Sequence, residues 1–471
     1  MSFSHWNGDG TAANTRARVP FTNRRDPICG KSTREETSVP TRHHKLGLLL
    51  GAAVVAGVAL SGASAASAQQ VIDDSQLQAL TTTMGGASVL PTTRTIPHWW
   101  GSTLDPHNGI TYGYNMVGAD PNNCSGAACS VTIQADITPL IVNVGGRTFS
   151  GSNVLNATLA SPQFHLNDYG TTPYATAGFS NLPKGLGGLL SQGDAGNLLQ
   201  LQDATMRAQF NKTGSSSYHL KLSPNILPPV TINVPSNQGT LLLSGRGVVF
   251  ADINISWWAA QIQNLETTAD PTHLPIYLTD SVLLHIGQNV LNCCVIGFHG
   301  TRASGNGGGS NNSNGNAKVQ TFAWASWVQP GIYARPNGGT DWALQDIHAL
   351  SHELAEWADD PFVNNTVEPW LTPTAPQYGC TAILETGDPV VAIGFAMGTN
   401  TFEQGPNPNG TQSADGYYHP EDEVFLPWFM RTAPNTVSEP TQSPSPNIGR
   451  YTLMGDLNPF QGFRQPATGC N

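Results

Sequence analysis

Apolar positions in the first half of the chain recur mostly with period two, the spacing of strands that bury one face. Ser130 to Ile137 alternates, and Leu140 to Val144 is a short apolar run. Turn clusters at Asp120-Pro121-Asn122-Asn123 and Gly145-Gly146 punctuate them, so both are predicted strands. Tyr218 to Leu222, Val230 to Val234 and Thr240 to Leu243 extend the pattern. One helix interrupts it, Asp194 to Phe210, where Asp203 and Arg207 stand four apart as a surface ion pair. The second half begins near Gly247. A helix is expected over Ile255 to Leu265, with strands at Leu274 to Leu278, Val282 to Ile286 and Val295 to His299. The Gly/Asn/Ser stretch Gly305 to Asn316 lacks a phosphate-loop lysine and reads as a surface connection. Gln320 to Trp327 alternates clearly and is the last strand before the segment that carries the chemistry.

That segment, Asp346 to Trp357, has helical periodicity. At about 100° per residue, His348, His352 and Glu356 share one arc with Glu353 at its flank, and Leu350, Leu354 and Trp357 gather opposite. His352-Glu353-Leu354-Ala355-Glu356 has the geometry of the zinc-protease pattern H-E-x-x-H, with a carboxylate as second ligand. A divalent ion there would acidify water, and Glu353, next to the first ligand, is the expected general base. A solvated helix face can also carry His and Glu at this spacing, yet such a face normally intersperses lysine or arginine, and Gln345 to Asp360 has neither. For a third ligand the first choice is Glu385, in Glu385-Thr386-Gly387-Asp388, with His348 and Asp388 as further candidates. His348 also reads as a hydrogen-bond partner of a ligand and, before either, as a plain helix-face histidine. His419, in Tyr417-Tyr418-His419-Pro420-Glu421-Asp422-Glu423, is an alternative ligand or a donor to a developing oxyanion. The same stretch also reads as an acidic loop before a buried segment. Zinc is the expected ion, although one imidazole with carboxylates also accommodates harder divalent cations.

At these residues the chain resembles a group of secreted bacterial proteins with the pattern S-H-E-L-x-E-W-x-x-D-P, here Ser351 to Pro361. That resemblance runs from about Ile96 to the C-terminus and includes Cys293 to Gly300 and Tyr418-His419. More distantly, and only around the helix, the chain looks like the plant Exordium and phosphate-induced secreted proteins, which share an H-E-x-x-E helix and a later E-x-G-D. The resemblance implies a site more than a substrate. The fold expected is α+β, with a β-rich N-terminal half (69–245) and a zincin-like α+β half (246–471) carrying the metal helix. By analogy with zincins, the strand at Gln320 to Trp327 would form the cleft edge.

The N-terminus changes the picture of where this happens. After a polar extension, Arg42-His43-His44-Lys45 precedes the apolar run Leu46 to Leu60 and the small residues Ala63 to Ala68, an export signal spanning the end of segment 1–68. A secreted, extracellular protein without stable membrane insertion is expected. Cleavage after Ala68 leaves 13 basic and 28 acidic residues, a net charge of −15. Such a balance disfavours nucleic acid and anionic membranes as partners. Six cysteines then remain, an even number suited to disulfides: Cys124 with Cys129, Cys380 with Cys470, and a vicinal Cys293-Cys294 pair is one pairing, with others open. The tryptophans read mainly as packing residues, a sugar-stacking platform being the other reading. The function expected is metal-dependent hydrolysis of an extracellular protein or peptide. The alternative is a non-catalytic extracellular binding protein, for wall polysaccharide or protein, with a structural or vestigial metal site.

Overall fold

The computed structural model describes residues 93–168, 198–210, 212, 217–245, 247–304, 317–333, 346–371, 380–391, 394, 397–400, 417–432, 451–452 and 470. The polar extension, the export signal, the Gly305 to Asn316 loop and Trp342 lie outside them.

In chain order the elements that position the site are β1 (His98–Leu104), β2 (Thr111–Val117), β3 (Ser130–Val144), β4 (Arg147–Ser150), α1 (Leu155–Ala160), the short pair β5 (Asn167–Asp168) and β6 (Leu198–Leu199), and α2 (Leu201–Gln209). They continue with β7 (His219–Ile226), β8 (Val230–Asn233), β9 (Gly239–Leu243), β10 (Val249–Asn254), α3 (Ile255–Leu265), β11 (Leu274–Asp280) and β12 (Val282–His285). Last come β13 (Cys293–Val295), β14 (Gly297–Ser304), β15 (Lys318–Trp327), α4 (His348–Asp359), β16 (Thr366–Leu371) and β17 (Cys380–Ile383). The fold is α+β, strand-rich before it is helix-bearing.

The two strand signals at Ser130 to Ile137 and Leu140 to Val144 are one long strand. β3 pairs in parallel with β11 through Ala135 to Pro139, with β7 through Ser130 to Ile137, and with β8 beyond Leu140. The main sheet runs β14-β15-β11-β3-β4, so strands from both sides of residue 245 share it. β15 lies inside, parallel to β11, and the sheet ends at antiparallel β14. The strand expected at the edge is therefore central, and the edge among the described residues is β14. A second sheet, β13-β12-β10-β9, stands beside it.

Period-two alternation in β15 sorts two cores. Phe322 and Trp324 join Trp258 and Ile262 of α3, whereas Ala323 and Ala325 join Leu350, Leu354 and Trp357 of α4. Small residues on one face let a helix approach closely; large ones on the other fill the space towards α3. The Trp357 indole N–H donates to Thr321 Oγ1 at 2.9 Å and fixes α4 along β15. Burial of a side chain such as Phe298 or Phe322 contributes about 1.5–3 kcal/mol, so this layer is a stiff support.

Two expectations need correction. The Asp203–Arg207 pair is not on the surface: α2 is buried throughout, Asp203 accepts from His219 Nδ1 (2.8 Å) and the Leu220 N–H, and Arg207 donates to the Tyr218 carbonyl. Its polar residues fasten β7 to the helix. Likewise α4 has no watery side, because the helix is buried on its polar face as well. Disulfides join Cys124 to Cys129, Cys293 to Cys294 and Cys380 to Cys470. Most tryptophans pack inside, and among the described residues Trp100 is the exposed one. No helix among the described residues is long and apolar enough to cross a membrane.

Candidate metal centre

Helix α4 is stopped by Asp360-Pro361. The Asp360 carboxylate accepts from the backbone N–H groups of Asn364 and Asn365, closing the turn after the last helical residue. The Asp360 carbonyl accepts from the Val363 N–H at 3.1 Å and, with its second lone pair, from His299 Nε2 at 3.3 Å. A carbonyl only accepts, so Nε2 carries a proton here, and Nδ1, on the other side of the ring, is the nitrogen that a second proton or a cation would fill. Nδ1 then faces Glu353 Oε2 at 3.5 Å and Glu356 Oε2 at 3.6 Å.

His299 comes from β14, opposite Ala323 in the register with β15, on the small-residue face that receives α4. Two residues earlier, Gly297 makes room: a Cβ there would lie 2.6 Å from Glu353 Oε1. The helix can press its acids against the edge strand only because these positions are small.

One turn along, His352 is held in the same manner. Its Nδ1 meets Glu421 Oε2 at 3.0 Å, and Glu421 also reaches His348 Nε2 at 2.8 Å. The Glu421 backbone N–H donates to Ser351 Oγ, locking this loop onto the helix. A carboxylate behind an imidazole fixes the ring and raises its basicity, the usual support of a metal-ligating histidine. The other nitrogen, Nε2, faces Glu356 Oε1 at 3.0 Å and Asp388 Oδ1 at 3.8 Å. Glu356 Oε1 further accepts from the N–H groups of Gly387 (3.2 Å) and Asp388 (3.3 Å), which fixes the position of this carboxylate.

Two groups of ligand atoms therefore converge, His299 with Glu353 and Glu356, and His352 with Glu356 and Asp388. Ligands about 2.0–2.1 Å from a tetrahedral ion stand roughly 3.4 Å apart. The spacings within these groups, 3.0 to 3.8 Å, scatter around that value, and only His352 Nε2 to Glu356 Oε1 lies at an ordinary hydrogen-bond distance. His299 Nδ1, His352 Nε2, Glu356 Oε2 and both oxygens of Glu353 and Glu385 are buried with no aligned hydrogen-bond partner. Buried orphans of this kind cost several kcal/mol unless a cation or a proton answers them. On these observations the residues present fit a divalent ion.

Electrostatics agree. Burial pushes Glu353 up to about 7, with His299 and His352 pulling the other way. Burial would also raise Glu356, but His352 and His299 outweigh it and hold this carboxylate at about 2. Burial disfavours charge on His299, yet Glu353 and Glu356 draw its proton affinity up to about 10. Glu385, Asp388 and Glu423 are all raised well above the usual carboxylate range by burial, reinforced by neighbouring acids. The interior asks for positive charge.

Of the residues expected from sequence, His352, Glu353, Glu356 and Asp388 meet at this centre. Glu385 lies on the far side of the His299 ring, 3.9 Å from Nε2, rather than beside His352. His348 belongs to the support through Glu421. His419 turns to Asp346, which accepts its backbone N–H at 2.8 Å, and its Nδ1 stands 3.4 Å from that carboxylate. Sequence reasoning assigned no role to His299 or Glu421. His299 lies in the Cys293 to Gly300 stretch of the bacterial resemblance, and Glu421 in the acidic loop, so both could have been read as polar groups amid apolar runs. No family model, curated protein or solved structure matches this chain.

Proposed function

We propose that the protein is a secreted metal-dependent hydrolase acting on an extracellular protein or peptide. The observation that carries this reading is the set of buried, donorless ligand atoms around Glu356. A divalent ion held there supplies Lewis acidity towards a carbonyl and acidifies water. The chain's own residues do the rest. Glu421 orients His352, and the Gly387 and Asp388 N–H groups fix Glu356. Glu353, buried next to His352 in the chain and within reach of the centre, accepts the proton from the attacking water. The Asp388 side chain, 18% exposed, marks the side from which substrate arrives.

A second reading has one observation in its favour. His299, His352, Glu353 and Glu356 are fully buried, as in closed centres whose ion only holds a fold together. The test is to purify the full chain, measure bound metal, and compare Glu353→Gln with wild type on a protein and peptide panel. The hydrolase reading expects at least the ion at the His352 position to remain in the variant, with hydrolysis down about 10²–10⁴-fold. A metal-loaded wild type that cleaves nothing on the panel overturns it in favour of the closed centre.

A further inference from the structure

The geometry points to a dinuclear centre: a second divalent cation, bound by His299 Nδ1, Glu353 Oε2 and Glu356 Oε2, bridged through Glu356 to the ion at His352 and Asp388. This inference deepens the proposed function and rests on it only in taking the His352 position as filled.

The argument starts from Glu356, whose two oxygens face different groups. Oε1 stands against His352 Nε2 and Oε2 against His299 Nδ1, 3.0 and 3.6 Å away. A carboxylate held this way can give one oxygen to each of two ions. Each side repeats the same design. One imidazole nitrogen is satisfied from behind, by the Asp360 carbonyl for His299 and by Glu421 for His352, and the other faces Glu356 together with one further carboxylate. A merely polar interior would not orient both rings so. The acids alone would not make a site; what identifies the second position is His299 Nδ1, which is wholly buried, lacks an aligned partner and is aimed at Glu353 and Glu356.

Occupancy of the second position changes what Glu353 does. With the His352 position alone filled, Glu353 is a proton acceptor; with both filled, its Oε2 is a ligand. Paired ions would then serve the attacking water oxygen and the amide carbonyl oxygen, on which negative charge develops before the amine leaves.

Metal content decides between these states. The full chain, dialysed against Mn²⁺ or Zn²⁺ and analysed for bound metal, should carry two ions per chain. His299→Ala and the isosteric Glu353→Gln should each fall to one, and His352→Ala should likewise keep one. In the Mn²⁺ form, the spin-coupled electron paramagnetic resonance signal of a bridged pair should appear in wild type and vanish in Glu353→Gln. Circular dichroism identifies any variant that fails to fold, and because the wild-type count and signal do not depend on the variants, the inference stays exposed. One ion per chain, unchanged by Glu353→Gln, overturns the second position and leaves the hydrolase reading standing. Two ions without hydrolysis uphold the dinuclear centre and remove the hydrolase. No bound metal overturns both.

Discussion

Adding one methyl group at Gly387 should separate two opposing effects on stability. The residue has φ −83° and ψ −36°, ordinary right-handed backbone that alanine adopts freely. By conformational entropy alone, Gly387→Ala would stabilise the fold by about 0.4–1 kcal/mol. The added Cβ, however, would fall inside the His352 ring, against Nδ1, Cε1 and Cγ. Neither party can retreat cheaply. The ring is buried and tied to Glu421, while the Gly387 and Asp388 N–H groups are tied to Glu356 and the Gly387 carbonyl accepts from Val390. Overpacking costs about 1–3 kcal/mol, and a lost hydrogen bond to a charged group about 1.5–3 kcal/mol. Less the entropic gain, the net expectation is destabilisation by about 1.5–5.5 kcal/mol, combining those ranges. Because His352 must move, metal affinity should fall by about tenfold or more. Urea unfolding and equilibrium dialysis against Zn²⁺ measure the two quantities. Gly113→Ala is the control, since its Cβ would find only the Gly101 carbonyl, 3.9 Å away. A Gly387→Ala protein with full metal content and a urea midpoint at or above wild type would refute the packing argument.

Two further outcomes are expected. Glu266 is pushed up to about 8 by burial, with Tyr277 and Arg302 acting weakly the other way. The folded chain thus keeps a proton that the unfolded chain loses above about 4.5; unfolding free energy should fall by up to about 1.4 kcal/mol per pH unit between 4.5 and 8 and level off above. Glu266→Gln should flatten that segment of a urea-midpoint profile, and an identical slope in the variant would refute the assignment. Divalent cation at a hundredfold excess over its dissociation constant should raise unfolding free energy by about 2.7 kcal/mol for one bound ion and about twice that for two independent ones. Calorimetry with and without chelator checks this; an unchanged melting temperature would mean that the folded chain binds no ion.

The features legible in the sequence were those written in local periodicity. Helix α3 was expected at Ile255 to Leu265 and spans those residues, and β15 extends its alternating stretch by two residues at the front. The α+β class and the helix with its His and Glu ligand candidates were visible in the same way. Sheet order was not, because pairing β3 with both β7 and β11 depends on contacts distant in sequence. For the same reason periodicity suggests an edge position for β15 and an exposed Asp203–Arg207 pair: it tells which positions share a face, not what lies against that face. Asp203 and Arg207 fit an exposed ion pair by spacing alone, and only the arrival of β7 buries them.

His299 makes the same point at the level of chemistry. No spacing rule connects it to His352, fifty-three positions away in the numbering, and its neighbours Phe298 and Gly300 give it the look of a strand residue. Its role follows from three separate features that meet in space. Gly297 and Ala323 are small, so α4 can come close; Asp360-Pro361 ends α4 in a turn whose Asp360 carbonyl accepts from the Val363 N–H and has a second lone pair for His299; that lone pair takes the Nε2 proton and aims Nδ1 at Glu353 and Glu356. The closing Asp-Pro of the helix motif thereby gains a function beyond stopping the helix. It holds one nitrogen of a histidine on β14 and so leaves the other for the proposed ion, and a change at Asp360 that disturbs the turn would reach the centre without touching any proposed ligand directly.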